Sequence, residues 1–193
     1  MPTLLYIHGF LSSPQSAKAL QTKGWLAQNR PDWQFECPFL SPHPADALEQ
    51  LRRIAEACRG PLYLMGSSLG GFWATWLVEH YGCPAILINP AVRPHKRFDE
   101  LVGQELANYH TGEKVTLSPQ DLKDLSTFHC DALKNTGLYW VLIQKGDETL
   151  DYRDAVAYYR GCRQTVESGG DHSFQGFQHW LPEITEFLEN PFY

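Results

Sequence analysis

Gly66-Ser67-Ser68-Leu69-Gly70 is a G-x-S-x-G pattern lying between a short apolar run, Pro61 to Met65, and a strongly apolar helical stretch, Leu69 to Tyr81. At a strand-to-helix junction that pattern specifies a turn so sharp that the serine is strained and its hydroxyl stands exposed. Side chains two positions to either side would collide, and Gly66 and Gly70 meet that demand around Ser68. The competing reading is an ordinary Gly-Ser turn in which Ser67 or Ser68 only caps the helix.

A serine hydroxyl is a poor nucleophile until a neighbouring base takes its proton, and the base must be oriented by a third group. In strand-turn-helix hydrolases these partners follow in the order Ser, Asp or Glu, then His, on loops at the carboxyl ends of strands. Asp147 follows the apolar run Leu138 to Gln144, and His172 follows Cys162 to Val166, after the loop-forming Gly169-Gly170. Ser68, His172 and Asp147 are the expected nucleophile, base and acid, with Glu148 and Asp151 as rivals for the acid. His43, His80, His110, His129 and His179 sit in expected loops, helices or the insertion, away from strand ends. Asp171 reads as a solvated carboxylate or cap.

Attack on an ester carbonyl places negative charge on its oxygen, which two inward-facing backbone N–H groups would stabilise. Leu69 is expected to supply one. Phe10, in the loop after the first strand, would supply the other, with Gly9 letting that loop pass close. His8 is expected to be structural. Arg93 follows another strand end and would either meet an anionic substrate group or, as its more ordinary role, pair with Asp99 or Glu100. Phe10, Phe72, Trp73, Trp76, Phe98 and Phe174 are candidates for an acyl pocket, with Phe72 and Trp76 better placed as core.

The elements that must position these residues alternate. Strands are expected at Thr3 to His8, Gln34 to Cys37, Pro61 to Met65, Ala85 to Asn89, Leu138 to Gln144 and Cys162 to Val166. Helical spacing marks a segment capped at Ser13-Pro14, the stretch from Leu48 to Cys58, Leu69 to Tyr81 before Gly82, Tyr152 to Tyr159, and a last helix interrupted or begun at Pro182. Strands apolar on both faces, alternating with helices, predict an α/β fold: a parallel sheet covered on both sides. Residues 95–136 read as a lid-like insertion with weak helices at roughly 98–108 and 119–126, within one domain spanning 1–193.

The whole chain has 193 residues, 43% of them hydrophobic, which suits one core. Its formal charge of −6 argues against a nucleic-acid partner, and its apolar runs are far too short to span a bilayer. No secretory leader is legible, so the expected location is cytoplasmic. Five scattered cysteines, with no C-x-x-C, argue for reduced thiols and against a structural metal. No cofactor is expected, and nothing in the sequence points to an oligomeric state.

The segments Leu4 to Phe10, Gly66 to Gly71, Asn89 to Pro94, Gly146 to Glu148, Asp151 to Arg153 and Gly169 to His172 resemble, in order and spacing, the YqiA-like small bacterial esterases of the α/β-hydrolase superfamily. The resemblance runs nearly end to end. It implies a minimal α/β-hydrolase whose sheet begins at the strand that usually comes third, a Ser68-Asp147-His172 triad, and activity on simple acyl esters or thioesters in a bacterial cytoplasm. The expected function is that of a serine esterase acting on a small-molecule ester or thioester. Its rivals are a catalytically silent binding protein on the same fold, or an amidase or peptidase with the same triad.

Overall fold

The computed structural model of the chain describes residues 1–191, so the last two residues of the expected 1–193 domain lie outside the described ones. The elements run β1 (Thr3–Ile7), α1 (Ala17–Asn29), β2 (Gln34–Glu36), α2 (Pro44–Ala57), β3 (Leu62–Ser67), α3 (Leu69–Tyr81) and β4 (Ala85–Ile88). After these come α4 (Pro94–Phe98), β5 (Glu105–Ala107), β6 (Lys114–Thr116), α5 (Pro119–Thr127), β7 (Tyr139–Gln144), α6 (Tyr152–Tyr158), β8 (Arg163–Glu167) and α7 (Leu181–Glu189).

Six strands form one sheet in the order β2-β1-β3-β4-β7-β8, every pair parallel. The alternation of side chains along each strand sorts the core into two layers. Leu5, Ile7, Leu64, Leu87 and Val141 face one layer with Phe72 and Leu77 of α3. Leu4, Tyr6, Met65, Ile88 and Leu142 face the other, with Leu26 of α1 and Ile184 and Leu188 of α7. Each such aliphatic side chain contributes about 1.5–3 kcal/mol on burial. The fold is that of an α/β hydrolase, with the chain reversing its direction of travel across the sheet at β1 and β3. In open parallel sheets the crevice beyond that reversal is where ligands bind.

The register places the chemistry. Ile7 pairs with Gly66, Ser67 with Ile88, Ile88 with Leu142, and Gln144 with Glu167. The loops that follow β1, β3, β4, β7 and β8 therefore leave the sheet along one rim.

Three local expectations are corrected. Ser13-Pro14 does not open the first helix: Ser13 closes a turn, its hydroxyl accepting from the Gln15 amide, and the helix starts at Ala17 with Ser16 in the cap position. The segment expected as a helix at 98–108 is instead the end of α4, a 3₁₀ turn at Asp99–Leu101, and strand β5 paired antiparallel with β6. Gly103 and Gly112, both at positive φ, and the Asn108 carboxamide accepting from the His110 and Thr111 amides, turn that segment into a hairpin. Trp76 is only half-buried and stacks on His80 at the edge of the core, whereas Phe72 is buried. Pro182 stands in the first turn of α7, where its missing N–H costs nothing.

Among the described residues no helix is long and apolar enough to cross a membrane. All five cysteines are free thiols, and only Cys83 is buried.

Candidate active site

Ser68 sits at the tip of β3 with φ 55° and ψ −120°. For a non-glycine residue this is a strained conformation costing about 1–3 kcal/mol. It persists because its surroundings fix it: the Ser68 amide donates to Ile88 O, and its carbonyl accepts from the Gly71 and Ala91 amides. Its side chain caps nothing, so the plain capping turn is not what the structure contains. The flanking glycines are required by contact rather than flexibility. A Cβ on Gly66 would lie 2.3 Å from Gly70 O, and one on Gly70 would lie 1.9 Å from Ile7 O.

The Ser68 hydroxyl lies 3.0 Å from His172 Nε2, and His172 Nδ1 lies 2.8 Å from Asp147 Oδ2. An ionised carboxylate can only accept, so the proton sits on Nδ1 and Nε2 accepts from the serine. Asp147 is almost wholly buried while the imidazole keeps some exposure. Burial alone would raise the Asp147 pKa. Hydrogen bonds from His172 and from the Leu150 and Thr149 amides outweigh it and hold the carboxyl below its ordinary value. The rivals are occupied elsewhere: Glu148 accepts from the His172 main-chain amide, and Asp151 caps α6 and pairs with Arg153.

Along the rim, β4 and β7 separate the end of β3 from the end of β8, so the loop bearing His172 must reach back across two strands to meet Ser68. A polar residue at each crossed strand end holds it. Asn89, just past β4, donates through Nδ2 to the carbonyls of Asp171 and His172, while its Oδ1 accepts from the Gln144 amide. Gln144, the last residue of β7, accepts through Oε1 from the Asp171 and Gln175 amides and donates to Gln175 O and Glu167. Gly146 donates its amide to Gly169 O, bringing the Asp147 loop against the His172 loop. Sequence reasoning missed both carboxamides. Their signal was a polar side chain closing a strand otherwise buried from end to end.

The loop after β1 lies against the serine: a Cβ on Gly9 would meet Ser68 Cβ at 3.4 Å. Among the described residues neither the Phe10 nor the Leu69 amide donates to a main-chain carbonyl. His8 is buried and braces the loop, with Nδ1 donating to Gly9 O and Nε2 accepting from the Leu40 amide. Burial holds its pKa down, which keeps it neutral in that acceptor role. The β5–β6 hairpin reaches the same loop, the Tyr109 amide donating to Leu11 O and Asn108 Nδ2 to Ser12 O, each at 2.9 Å.

Ser68, His172 and the Gly9-Phe10 segment open into a cleft of about 940 Å³. Phe10, Phe98 and Phe174 line it, but Phe72, Trp73 and Trp76 do not, being turned into or toward the core. Arg93 is exposed, outside the cleft wall, and within 4 Å of no carboxylate among the described residues, so neither Asp99 nor Glu100 pairs with it. The charged groups facing the cleft are instead Lys18, Arg97 and Glu100, with His110, which sequence position had set aside. No cluster of metal-ligating side chains occurs among the described residues.

A family model described as "Uncharacterised protein family (UPF0227)" matches residues 3–189. Among solved structures the chain is similar to mouse alpha/beta hydrolase domain-containing protein 10, with TM-score 0.76 and 15% identity over 97% of this chain and 89% of that one. It is also similar to Est1E from Butyrivibrio proteoclasticus, with TM-score 0.73 and 16% identity over 98% and 88%. A third likeness is to a structure titled for LipS and LipT, two metagenome-derived lipolytic enzymes, with TM-score 0.67 and 18% identity over 97% and 93%. At these identities the likeness establishes the fold.

Proposed function

Since the chain belongs to the UPF0227 family and folds as an α/β hydrolase, we propose that it is a serine hydrolase of carboxylic esters, thioesters included. The observation that carries this reading is the continuous hydrogen-bond line from Ser68 Oγ through His172 to Asp147, at 3.0 and 2.8 Å, starting from a strained serine that borders the cleft. A purely structural serine has no use for such strain. Est1E has been solved with ferulic acid bound, and lipolytic enzymes stand among the similar folds, which supports ester chemistry on this architecture.

In the proposed cycle Ser68 attacks the acyl carbon as His172 Nε2 takes its proton. Asp147 holds the Nδ1–H tautomer and stabilises the imidazolium. The carbonyl oxygen, now negative, would be met by the Phe10 and Leu69 amides, each worth roughly 10²–10³ in rate. His172 returns the proton to the leaving oxygen or sulfur, and water then cleaves the acyl-Ser68 ester by the same route reversed. No step calls for a cofactor. Gly9 keeps the oxyanion loop close enough to serve.

Labelling with a fluorophosphonate, together with turnover of p-nitrophenyl acyl esters, tests the reading. A labelled, active protein whose Ser68→Ala variant is inert in both assays is expected. An unlabelled protein that binds acyl compounds without turnover would mark a silent binding protein, and anilide turnover matching ester turnover would mark an amidase.

A further inference from the structure

Lys18, on the first turn of α1, projects into the cleft. Its Nζ donates to Ser173 O at 2.8 Å, the residue after His172. An ammonium has three donors, so two remain without a protein acceptor among the described residues. Among the described residues no carboxylate comes within 4 Å of it, as is also the case for Lys23, Arg93 and Arg97, whereas Arg30, Arg52, Arg53 and Lys114 each have one. Beside it, at the head of the same helix, Ser16 also borders the cleft, its hydroxyl buried beside Tyr6. Arg97 reaches the cleft from α4, likewise without an ion-pair partner among the described residues. Glu100 is the one acid lining the cavity. Lys18 and Arg97 are the lysine and arginine lining the cleft, and Asp171 and Asp147 lie near enough to Lys18 to act on its charge without pairing with it.

We propose that the cleft selects esters carrying a carboxylate, which the two free Lys18 donors receive while Ser68 faces the ester carbon, with Arg97 adding attraction from α4. This deepens the hydrolase reading and rests on it. An ammonium meets a carboxylate as a compact point charge with rotatable donors. The electrostatics agree. Burial draws the Lys18 ammonium down to about 8, against the opposing pull of Asp171 and Asp147, so the charged form is under-compensated and an arriving anion strengthens it. The Ser173 contact fixes the direction of the lysine side chain.

The test uses two esters of equal chain length, monomethyl glutarate and methyl valerate, titrated calorimetrically into the Ser68→Ala protein so that neither is consumed. Monomethyl glutarate is expected to bind at least fivefold more tightly at low salt, a preference that shrinks in 0.5 M salt as exposed charges are screened. Lys18→Gln keeps a donor for Ser173 O but removes the charge, and should abolish the preference. Lys18→Arg should retain most of it, and Arg97→Gln should reduce it about twofold. Equal binding of the two esters, or a preference that Lys18→Gln preserves, overturns the proposal. Because binding is read without turnover, an inert wild-type enzyme would overturn the hydrolase reading and leave the charge preference to be judged by titration.

Discussion

The cleft has a sheet wall and a lid wall built on different terms. The sheet wall consists of the tips of β3, β4, β7 and β8, where Asn89, Gln144 and Ser67 are buried and the hydrogen bonds interlock across four strands. Backbone strain gathers around the cleft: Leu11, Ser68, Asn89 and Phe174 are the non-glycine residues at positive φ among those described. The lid wall, from Pro94 to Thr116, is assembled from elements of three to five residues whose side chains stand largely in solvent, Tyr109 being 79% exposed. It touches the loop after β1 through two hydrogen bonds and the tilted contact of Phe98 with Phe10, ring centroids 4.6 Å apart. Proton transfer tolerates errors well below an ångström, and that tolerance comes from close packing. Substrate choice tolerates more, and thin elements suffice for it.

If the two walls divide the work in this way, mutations should separate into two classes. On the sheet wall Ser68→Ala or His172→Ala should lower kcat by about 10⁵–10⁶, and Asp147→Asn by about 10⁴. Asp151→Asn, which keeps the cap and loses only the surface pair with Arg153, should stay within about twofold. A crippled Asp151 variant beside an active Asp147 variant would break the assignment.

Next in size are the two carboxamides. Asn89→Ala or Gln144→Ala strands the main-chain groups of the His172 loop, at about 1–3 kcal/mol of stability. The expected kinetic result is a loss of about 10- to 100-fold in kcat with little change in KM, read with stopped-flow acyl-ester assays and urea midpoints. Loss of stability with kcat intact would show that the loop holds its register without them.

Asn108→Ala, on the lid side, removes one anchor of the loop after β1 and should cost about threefold to tenfold in kcat, with wild-type thermal stability within about 1 kcal/mol. A loss as large as that of Asn89→Ala would erase the distinction between the walls.

The smallest effect is in acid. The folded-state pKa of Asp147 is depressed, so its ionisation stabilises the fold fully above the unfolded value near 3.9 and ceases to do so as pH falls through the lower folded value. The stability gap between wild type and Asp147→Asn, measured by urea unfolding, should therefore be present at pH 6 and close toward pH 2–3. A gap independent of pH would mean that the carboxylate gains nothing from its partners.

How much of this was legible beforehand follows from the range of each constraint. The serine turn could be read because its demand is local: Gly66 and Gly70 are needed by atoms within a few residues or on the paired strand. The strands could be read because burial on both faces leaves an unbroken apolar run. The hairpin at 105–116 could not, because its residues alternate only over three positions and its turn is made by side-chain acceptance at Asn108.

What the sequence determined by itself was therefore the alternating architecture and the types of group along one rim. The tertiary structure decided which of them meet. Asp147 rather than Asp151 reaches the imidazole because the loops after β7 and β8 abut at Gly146 and Gly169. Lys18 and Arg97, not Arg93, face the cleft because α1 and α4 border it. Asn89 and Gln144 matter because strand order sends the His172 loop across both of their strands. Strand order is a property of the packed sheet, set by which apolar faces fit together over the whole chain, and no local run of residues carries it.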